Sequence, residues 1–399
     1  MIKSVAFFVM MISAAVFLSG CFDADGAAEG SAKGGGDSQL QQTLADPAPA
    51  GTLALEVETL ADGLAYPWAM AFLPDGALLV TEREGRVRLI REGRLDPLPV
   101  VGVPEILVAG QAGLFDILLH PAFSTNQLVY LTYAHGVKRK NVLRVARARF
   151  EGGAFHDWEV LHDARPVKNT THHFGGRMAW GGDGKLYVTV GEGSRYKEKA
   201  QDMTTSLGAV LRLNGDGSVP ADNPVFGDGS QPALYTKGHR NSQGLTYDRM
   251  RAILWASEHG PRGGDEINII RRGENYGWPL ATYGTNYNGT KITPFTEYEG
   301  TMQPVKYWTP SIAPSGLAVY GGDLFEGWSG DLLAGAMAGA ALHRIIMEGN
   351  TPVGEERYLL ERAARVRDVR VGPEGAIYVT TEIKNDPTSG KVLRLTPQD

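Results

Sequence analysis

The sequence predicts an all-β protein, a six-bladed β-propeller in which each blade is a four-stranded antiparallel sheet. Its 399 residues include 51 glycines and 22 prolines, which favours many short strands joined by turns. A pattern of two strands around a tight turn occurs in six copies along the chain. Long helices are not expected, because no stretch sustains apolar residues at helical spacing with caps at both ends. Six such units, each burying its faces against its neighbours, form a ring with a central channel.

The six copies share an apolar stretch, a Gly/Asp/Pro turn and an alternating strand. The turns of the three clearest copies are Pro74-Asp75-Gly76, Gly182-Asp183-Gly184 and Pro373-Glu374-Gly375. Weaker copies lie at residues 117–133, 245–258 and 317–334. A β-sandwich or barrel is the competing architecture, but six copies exceed what those folds usually hold. We therefore expect residues 52–399 to form the propeller.

The N-terminal segment has the features of a secretory signal. Lys3 precedes an apolar stretch at residues 5–18 that is too short to span a bilayer. The stretch ends in Leu18-Ser19-Gly20-Cys21, which resembles the bacterial lipoprotein signal, where cleavage precedes a cysteine that is then acylated. An ordinary signal peptide or a buried thiol is the alternative for Cys21, the only cysteine. We expect a lipoprotein signal peptide at residues 1–20, a lipidated Cys21, and an extracytoplasmic, periplasmic protein attached to a bacterial membrane through its lipid anchor only.

Residues 21–51 predict a flexible tether between this anchor and the propeller. They are rich in Gly, Ala, Ser, Asp and Pro, with too little apolar surface to offset the entropy of ordering them. The net charge of −6 provides no basic surface for a polyanion. We therefore expect no nucleic-acid partner.

Two loops joined by one short strand at residues 253–257 carry the most specific residues. The first contains Arg240 and Asn241, and the second contains Gly260, Pro261 and Asp265. An arginine offers a forked, charged donor for carboxylate or quinone oxygens. A Gly-Pro turn presents backbone carbonyls, which hard cations such as calcium accept as ligands. The same residue types also make ordinary turns between strands, so this pattern alone leaves a purely structural turn open.

A third segment, Thr171-His172-His173-Phe174-Gly175-Gly176-Arg177, precedes the third copy of the repeat. We expect it in a loop at one end of the ring. A neutral imidazole there can act as a general base near neutral pH. A surface or structural histidine is the alternative for either residue taken alone.

Taken together, the loops resemble those of one enzyme family. The segments around Gln111, His172-His173, Arg240-Asn241, Gly260-Pro261 and Arg365-Val366-Arg367-Asp368 all precede or follow core strands. In this order and context they are similar to those of the soluble dehydrogenases for glucose and other aldoses that depend on pyrroloquinoline quinone (PQQ). That family has six-bladed propellers. The resemblance covers residues 66–395 and is most specific at residues 240–278, which include Glu266-Ile267-Asn268.

The resemblance implies oxidation of an aldose sugar at its anomeric carbon to the lactone. It implies PQQ and Ca²⁺ as cofactors and an external electron acceptor, a cytochrome or a quinone. By its position before Gly175-Gly176-Arg177, His173 looks like the base that takes the proton from the anomeric hydroxyl. Arg240 looks like the group that polarises the accepting quinone carbonyl, with Asn241 beside it.

The resemblance also implies the metal ligands and the remaining cofactor contacts. The backbone carbonyls of Gly260 and Pro261 look like ligands of the calcium ion, and Asp265 looks like a carboxylate that holds water on that ion. The remaining hydrogen-bonding and charge partners of the cofactor would be Gln111, Arg365 and Arg367.

One departure from the family pattern concerns a cation. Where glucose-oxidising relatives direct a lysine at a cofactor carboxylate, this chain reads Ala336-Met337-Ala338-Gly339-Ala340, with Ala338 the nearest match. Arg262 is a candidate for supplying the missing charge.

Two other functions remain open at this point. A lipoprotein propeller could bind a carbohydrate or a protein without turnover. A metal-dependent lactonase would need side-chain carboxylates directly on its metal at the channel mouth. Glutamates that follow the repeat strands could supply these or be structural partners of neighbouring blades, namely Glu82, Glu192, Glu258 and Glu382.

Residues 285–308 are the longest candidate for a wall of the sugar site. The aromatic side chains of this segment would either stack on a sugar face or pack the loop onto the ring, and they are Tyr287, Phe295, Tyr298, Tyr307 and Trp308.

Overall fold

A computed structural model describes residues 48–398. Within this range the chain forms six four-stranded antiparallel sheets. Its helical segments there are one short α-helix at Phe123–Asn126 and two 3-10 turns at Lys197–Gln201 and Leu360–Arg362. The predicted signal peptide, Cys21 and most of the predicted tether lie outside the described residues.

The blades follow one another along the chain, and each contains four strands. Blade 1 contains β2 (Pro67–Phe72), β3 (Leu78–Glu82), β4 (Arg86–Arg91) and β5 (Arg94–Leu95). Blade 2 contains β6 (Leu114–Leu119), β7 (Leu128–Val137), β8 (Lys140–Glu151) and β9 (Ala154–Asp163). Blade 3 contains β10 (Gly175–Trp180), β11 (Leu186–Val190), β12 (Ala209–Leu213) and β13 (Leu234–Lys237).

The second half of the chain completes the ring. Blade 4 contains β14 (Ser242–Asp248), β15 (Ile253–Glu258), β16 (Asp265–Ile270) and β17 (Lys306–Trp308). Blade 5 contains β18 (Pro314–Val319), β19 (Leu332–Ala336), β20 (Ala341–Glu348) and β21 (Thr351–Tyr358). Blade 6 contains β22 (Arg365–Val371), β23 (Ile377–Ile383) and β24 (Asp386–Pro397), and the N-terminal strand β1 (Leu55–Leu64) is its outermost strand.

The first strands of the blades surround the centre of the ring. β2, β6, β10, β14, β18 and β22 each contact the next, and β22 contacts β2. The six repeats of the sequence are the hairpins between the first and second strands of the six blades. The predicted six-bladed propeller is therefore confirmed.

Glycine marks the turn in each of the three clearest repeats. Gly76, Gly184 and Gly375 have φ angles of 84°, 69° and 86°. Residues with a Cβ rarely adopt this left-handed conformation, whereas glycine does so at little cost. The turn chemistry that identified the repeats is thus required by the backbone.

A belt of buried hydroxyl groups joins successive blades. Thr81 on β3 donates to the Phe115 carbonyl of blade 2 at 2.6 Å. Thr132 donates to Gly176, Thr189 to Ser242 and Ser257 to Ser315 in the same way. In each case a hydroxyl on a second strand satisfies a carbonyl on the first strand of the next blade. Because buried hydroxyls are costly without partners, this repeated bond fixes neighbouring blades against each other.

The last residues of the predicted tether contact the propeller. The Arg357 amide donates to the Pro49 carbonyl at 2.9 Å, and the Gly51 amide donates to the Arg357 carbonyl at 2.8 Å. Ordered structure thus extends a few residues before residue 52. Across residues 48–398, no helix has the length and apolar character needed to cross a membrane.

Candidate active site

The predicted site residues gather at one end of the ring. In an antiparallel blade, the segment before the first strand and the turn between the second and third strands lie at the same end. These segments contain Gln111 before β6, His173 before β10, Arg240 and Asn241 before β14, Gly260 and Pro261 between β15 and β16, and Arg365 and Arg367 at the start of β22. We call this end, defined by those residues, the channel mouth.

A β-bulge near the start of every first strand shapes the channel mouth. Such a bulge bends the strand and redirects its side chains. The register between first and second strands shifts at Pro67/Ala69, Leu114/Ile117, Gly175/Met178, Ser242/Gly244, Pro314/Leu317 and Val366/Asp368. Each of the six loops at the channel mouth is therefore followed by a strand with a bulge at an equivalent position.

His173 has one ring nitrogen committed and one free. Its Nδ1 lies 2.8 Å from Glu192 Oε1, and its backbone amide donates to Gln111 Oε1 at 2.9 Å. Its backbone is left-handed, with φ 46°. Burial lowers the pKa of His173, the hydrogen bond to Glu192 raises it, and the Arg240 charge lowers it. The neutral ring therefore carries its proton on Nδ1, and Nε2, which has no hydrogen-bond partner within residues 48–398, has a free lone pair that could accept a proton.

Glu192 and Lys168 complete the surroundings of His173. The sequence named Glu192 only as one of four recurring glutamates, and it did not identify Lys168. Lys168 Nζ donates to the carbonyls of His172 and His173 at 3.2 and 3.3 Å. The spacing of 19 residues between His173 and Glu192 recurs between His239 and Glu258, and it was the available signal for this pairing. A lone lysine gives no such signal.

Arg240 and Asn241 link blade 4 to the two neighbouring loops. Arg240 Nη1 donates to the carbonyls of His259 and Gly260 at 3.0 and 2.8 Å. Asn241 Oδ1 accepts a hydrogen bond from the Gly175 amide at 3.1 Å, just after His173. Arg240 and Asn241 are thus brought to the same mouth as His173.

The loop at Gly260 and Pro261 is held rigidly by Asp265. Asp265 Oδ1 accepts from the Gly260 amide at 2.8 Å, while Oδ2 accepts from Ser311 Oγ at 2.6 Å and from the backbone amides of residues 312 and 313. Burial raises the pKa of Asp265, and these hydrogen bonds oppose the rise. The Pro261 carbonyl accepts no hydrogen bond from the described residues. The loop therefore presents a free carbonyl oxygen.

Three arginines of blades 1 and 6 lie close to one another at the channel mouth. Arg365 Nη1 lies 3.1 Å from Glu382 Oε1, and Arg367 Nη1 donates to Gln243 Oε1 at 2.9 Å. Burial lowers the pKa of Arg367 to about 10, Glu382 opposes this, and the charges of Arg365 and Arg83 lower it further. Arg83, which the sequence did not identify, is half-buried; its guanidinium lies 4.5 Å from the centre of the Tyr66 ring and has no hydrogen-bond or ion-pair partner within residues 48–398. An anion at this position would relieve the repulsion.

The structure shows the surroundings of Ala338, where the family pattern has a lysine, and of Arg262, the candidate for the missing charge. Ala338 is exposed, and its amide donates to the Ile312 carbonyl at 2.9 Å. The neighbouring Met337 has its sulfur 3.3 Å from Arg365 Nη2. The exposed Arg262 pairs through its backbone with Thr285, and its Nη1 lies 4.0 Å from the position of a Cβ on Gly289. The Arg262 side chain thus points to the 285–291 segment.

The aromatic residues of the 285–308 segment divide into two groups. Tyr307 stacks on Tyr283 with ring centres 3.9 Å apart, and Trp308 is buried and donates to Glu355 Oε1 at 2.8 Å. These two pack the segment onto the ring. Side chains that remain exposed and available to a ligand are those of Tyr287, Phe295 and Tyr298.

A buried ion network joins the first strands of three blades. Arg177 Nη1 lies 3.2 Å from Asp116 Oδ1 and 2.9 Å from Asp368 Oδ1, and Arg370 Nη2 lies 3.1 Å from Asp116 Oδ1. These four side chains come from the first strands of blades 2, 3 and 6. Two arginines and two aspartates therefore balance their charges where these first strands meet.

The four recurring glutamates bind within their own blades. Glu82 accepts from the Ala65 amide at 2.6 Å, and Glu192, Glu258 and Glu382 contact residues just before or at the start of their own first strands. The expectation of partners in neighbouring blades is wrong. Within residues 48–398, no group of three or more His, Cys, Asp or Glu side chains is placed to hold a metal ion. The described residues thus offer no carboxylate set for the lactonase alternative.

Comparison with known proteins agrees with this architecture. The family model described as Glucose / Sorbosone dehydrogenase matches residues 64–394. The aldose sugar dehydrogenase YliI of Escherichia coli (strain K12) is 38% identical to this chain over 86% of it and 94% of the relative. The quinoprotein glucose dehydrogenase B of Acinetobacter calcoaceticus is 27% identical over 84% of this chain and 86% of the relative.

A solved structure with a bound cofactor is also similar. It is the PQQ-bound form of an aldose sugar dehydrogenase from Streptomyces coelicolor, with a TM-score of 0.72 and 29% sequence identity. The similarity covers 88% of this chain and all of the other.

Proposed function

Because this chain belongs to the glucose/sorbosone dehydrogenase family, we propose that it is a PQQ-dependent dehydrogenase that oxidises an aldose at the anomeric carbon to the lactone. The observation that carries this proposal is the free Nε2 of His173 at the channel mouth, supported on Nδ1 by Glu192 and close enough to Arg240 for that charge to lower its pKa. A non-catalytic propeller has no need of an unpartnered, neutral imidazole in this position.

The arginines of the mouth fit an anionic cofactor. Arg83 is half-buried against the Tyr66 ring, has no ion-pair partner within residues 48–398 and is close enough to Arg367 to lower its pKa. A half-buried charge without a counter-ion is costly, so the site favours a bound anion. We propose that Arg365 and Arg367 bind carboxylates of PQQ and that Arg83 supplies the cation that Ala338 does not. Gln111, Arg240 and Asn241 complete the proposed set of cofactor contacts.

The Gly260-Pro261 loop fits a calcium ion. Calcium prefers oxygen ligands, and the Pro261 carbonyl is free of hydrogen bonds from the described residues. The Gly260 carbonyl accepts from Arg240 Nη1 at 2.8 Å. The carbonyls of Gly260 and Pro261 would hold the ion, and the guanidinium of Arg240 beside them would donate to the cofactor. Asp265 would hold the loop and the water on the ion.

The residues of this chain divide the work with the cofactor. PQQ, when bound, supplies the acceptor for the hydride of the anomeric carbon, and calcium helps to stabilise the resulting negative charge. His173 Nε2 takes the proton of the anomeric hydroxyl, so that the C=O bond of the lactone forms without a protonated carbonyl. Glu192 then stabilises the imidazolium through the Nδ1 hydrogen bond. Arg240 provides a fixed positive charge that needs no reorganisation during the reaction.

Reconstitution of the full chain tests this function. We expect oxidation of aldoses with an artificial dye as acceptor only when both PQQ and Ca²⁺ are added. His173→Ala and Arg240→Ala should lower kcat by roughly 10²-fold or more, as removal of a general base or a charge-stabilising donor does. The matched controls are His156→Ala and Arg94→Ala, which change exposed residues on β9 and β5. Absence of both activity and calcium-dependent PQQ absorbance would favour the carbohydrate- or protein-binding propeller instead.

Electrons leave the reduced enzyme by way of an external acceptor, for which we propose a cytochrome or a quinone. Stopped-flow mixing of the sugar-reduced enzyme with a c-type cytochrome or a soluble ubiquinone analogue tests this. Reoxidation by neither would exclude both classes.

For the location of the protein, we propose lipidation at Cys21 and an extracytoplasmic, periplasmic position. The support is the Leu18-Ser19-Gly20-Cys21 motif after an apolar stretch. Labelled palmitate should be incorporated into the wild-type chain and not into Cys21→Ser. An unlabelled wild-type chain, or a label retained in the variant, would contradict the anchor.

A further inference from the structure

Lys168 is a buried cation beside the proposed base, with no role in the function proposed above. Its side chain is only 2% exposed. Its backbone pairs with Asn141 through hydrogen bonds of 2.8 and 3.0 Å. This pairing fixes the start of the side chain, so the ammonium group reaches the His172-His173 turn and not solvent. Burial of an ammonium group is costly unless other groups replace its water.

The groups that replace this water belong to the turn that carries the base. Lys168 Nζ donates to the carbonyls of His172 and His173 at 3.2 and 3.3 Å and lies 3.4 Å from the centre of the Phe174 ring. A Cβ at Gly193 would lie 2.8 Å from Lys168 Cδ, so the glycine makes room for the lysine stem. Three consecutive residues of the turn therefore surround one ammonium group.

Lys168 also acts on the pair formed by His173 and Glu192 through its charge. Glu192 Oε2 is buried and has no hydrogen-bond partner within residues 48–398. Burial lowers the pKa of Lys168 to about 7, and the attraction of Glu192 opposes this. The lysine charge in turn lowers the pKa of His173. The ammonium thus partly compensates a carboxylate that only one hydrogen bond satisfies.

We propose that Lys168 is a positioning residue for His173, whose ammonium group holds the carbonyls of the left-handed His172-His173 turn and keeps the ring on Glu192 with Nε2 unprotonated. The catalytic part of this inference rests on the proposed function. The effect on the ring does not, because it is a property of the protein without cofactor.

The proposal predicts the direction of a pH effect. The charged or titratable groups that act on the His173 ring are Glu192, Arg240 and Lys168, and His259 lies near enough for His173 to lower its pKa. Removal of the lysine charge leaves the opposing effect of Glu192 intact, so the pKa of His173 rises. The acid limb of kcat/KM then moves to higher pH, because the base must be neutral to accept a proton.

NMR titration of the histidine rings in the cofactor-free full chain tests the proposal directly, with the His173 signals assigned by their loss in His173→Gln. We expect Lys168→Met, which keeps the apolar stem, to raise the pKa of His173 by on the order of one unit. Lys168→Gln should do the same, and Lys168→Arg should remain near the wild type. The matched control is Lys306→Met, since Lys306 is buried on Glu355 in another blade.

An unchanged His173 pKa in both Lys168→Met and Lys168→Gln would overturn the proposal and leave the lysine a purely structural role. If both variants fail to fold, the wild-type titration decides. The His173 signals should then show a second inflection near pH 7 as Lys168 loses its proton, and a single inflection would overturn the proposal. A protein without sugar oxidation but with the expected pKa change would contradict the proposed function and not the role of Lys168.

Discussion

Two histidine–glutamate pairs in neighbouring blades have the same spacing and different surroundings. His173 and Glu192 in blade 3, and His239 and Glu258 in blade 4, are each 19 residues apart, with Nδ1 to carboxylate distances of 2.8 and 3.0 Å. In the second pair, His239 Nε2 also lies 2.9 Å from Thr236 Oγ1, and the ring stacks on Tyr276 with centres 4.4 Å apart. His239 has therefore no free ring nitrogen, whereas His173 has one.

The two glutamates also differ in how many of their hydrogen-bonding atoms are satisfied. Glu258 Oε2 accepts from Ser242 Oγ at 2.8 Å as well as from His239, so this pair fixes the start of β14. Glu192 Oε2 has no partner within residues 48–398. The same arrangement thus has no free ring nitrogen in blade 4, and in blade 3 it leaves one for the proposed chemistry. A sequence motif identifies the pair, but the unsatisfied atoms identify the site.

Replacing each histidine in turn gives the strongest test of the difference between the two pairs. We expect His173→Gln to lower kcat by about 10²- to 10⁴-fold, because the general base is lost. His239→Gln should keep kcat in the protein that remains folded, because neither of its ring nitrogens is available to substrate. Steady-state dye reduction with the reconstituted chain measures both. Equal losses in the two variants would remove the distinction.

Neutralising the glutamates should give a smaller difference in rate. Glu192→Gln keeps the shape of the side chain but loses the charge that stabilises the imidazolium, so kcat should fall about 10- to 100-fold, as expected for a hydrogen bond to a charged group. Glu258→Gln should leave kcat near the wild type. The same dye assay decides, and a larger loss in Glu258→Gln would contradict the assignment of roles.

For stability we expect the opposite order, with the larger loss in the Glu258 variant. Glu258→Gln weakens two buried hydrogen bonds to a charged acceptor, and we expect it to lower the free energy of unfolding by about 1–3 kcal/mol. Glu192 has one such bond, so its variant should lose less. Urea unfolding of the cofactor-free chains measures both values. A greater loss in Glu192→Gln would argue that blade 3 uses its pair for packing as well.

The smallest expected effect is a shift in pH dependence. Burial lowers the pKa of His173, Glu192 raises it and Arg240 lowers it, with a net decrease. Because the ring must be neutral, kcat/KM should fall as the pH decreases through a value below the ordinary histidine pKa of about 6.5. Glu192→Gln removes the group that raises the pKa, so its acid limb should lie at still lower pH. A limb at higher pH in this variant would show that Glu192 does not act on His173.

The same shift has a consequence for stability. The pKa of His173 is lower in the folded protein than in the unfolded chain. Protonation of this histidine therefore favours unfolding, and the free energy of unfolding decreases as the pH falls below the unfolded-state pKa. His173→Gln should therefore reduce the loss of stability between neutral and acidic pH. Unfolding curves at both pH values for wild type and variant measure this difference.

The sequence by itself determined the number of blades and the end of the ring at which the loops meet. Turn glycines such as Gly76 and Gly184 can be recognised from the local sequence, because the left-handed backbone that they adopt depends on a few neighbouring residues. Strand alternation then places every segment before a first strand at the same end, since an antiparallel sheet leaves no other arrangement. His173 and Arg240 precede first strands and so belong to one mouth, whereas Gly260 lies between a second and a third strand and was connected with them through the family resemblance.

Only the tertiary structure decided which polar atoms in that mouth are satisfied. The free Nε2 of His173, the absence of an ion-pair partner for Arg83 within residues 48–398 and the bonds of the Lys168 ammonium depend on how the side chains pack, even where the partners are only five residues apart. The direction of the Arg262 side chain toward the 285–291 segment was equally invisible in the sequence. Hydrogen bonding and burial are properties of the packed surroundings, and a residue type at a given spacing does not specify what lies against it.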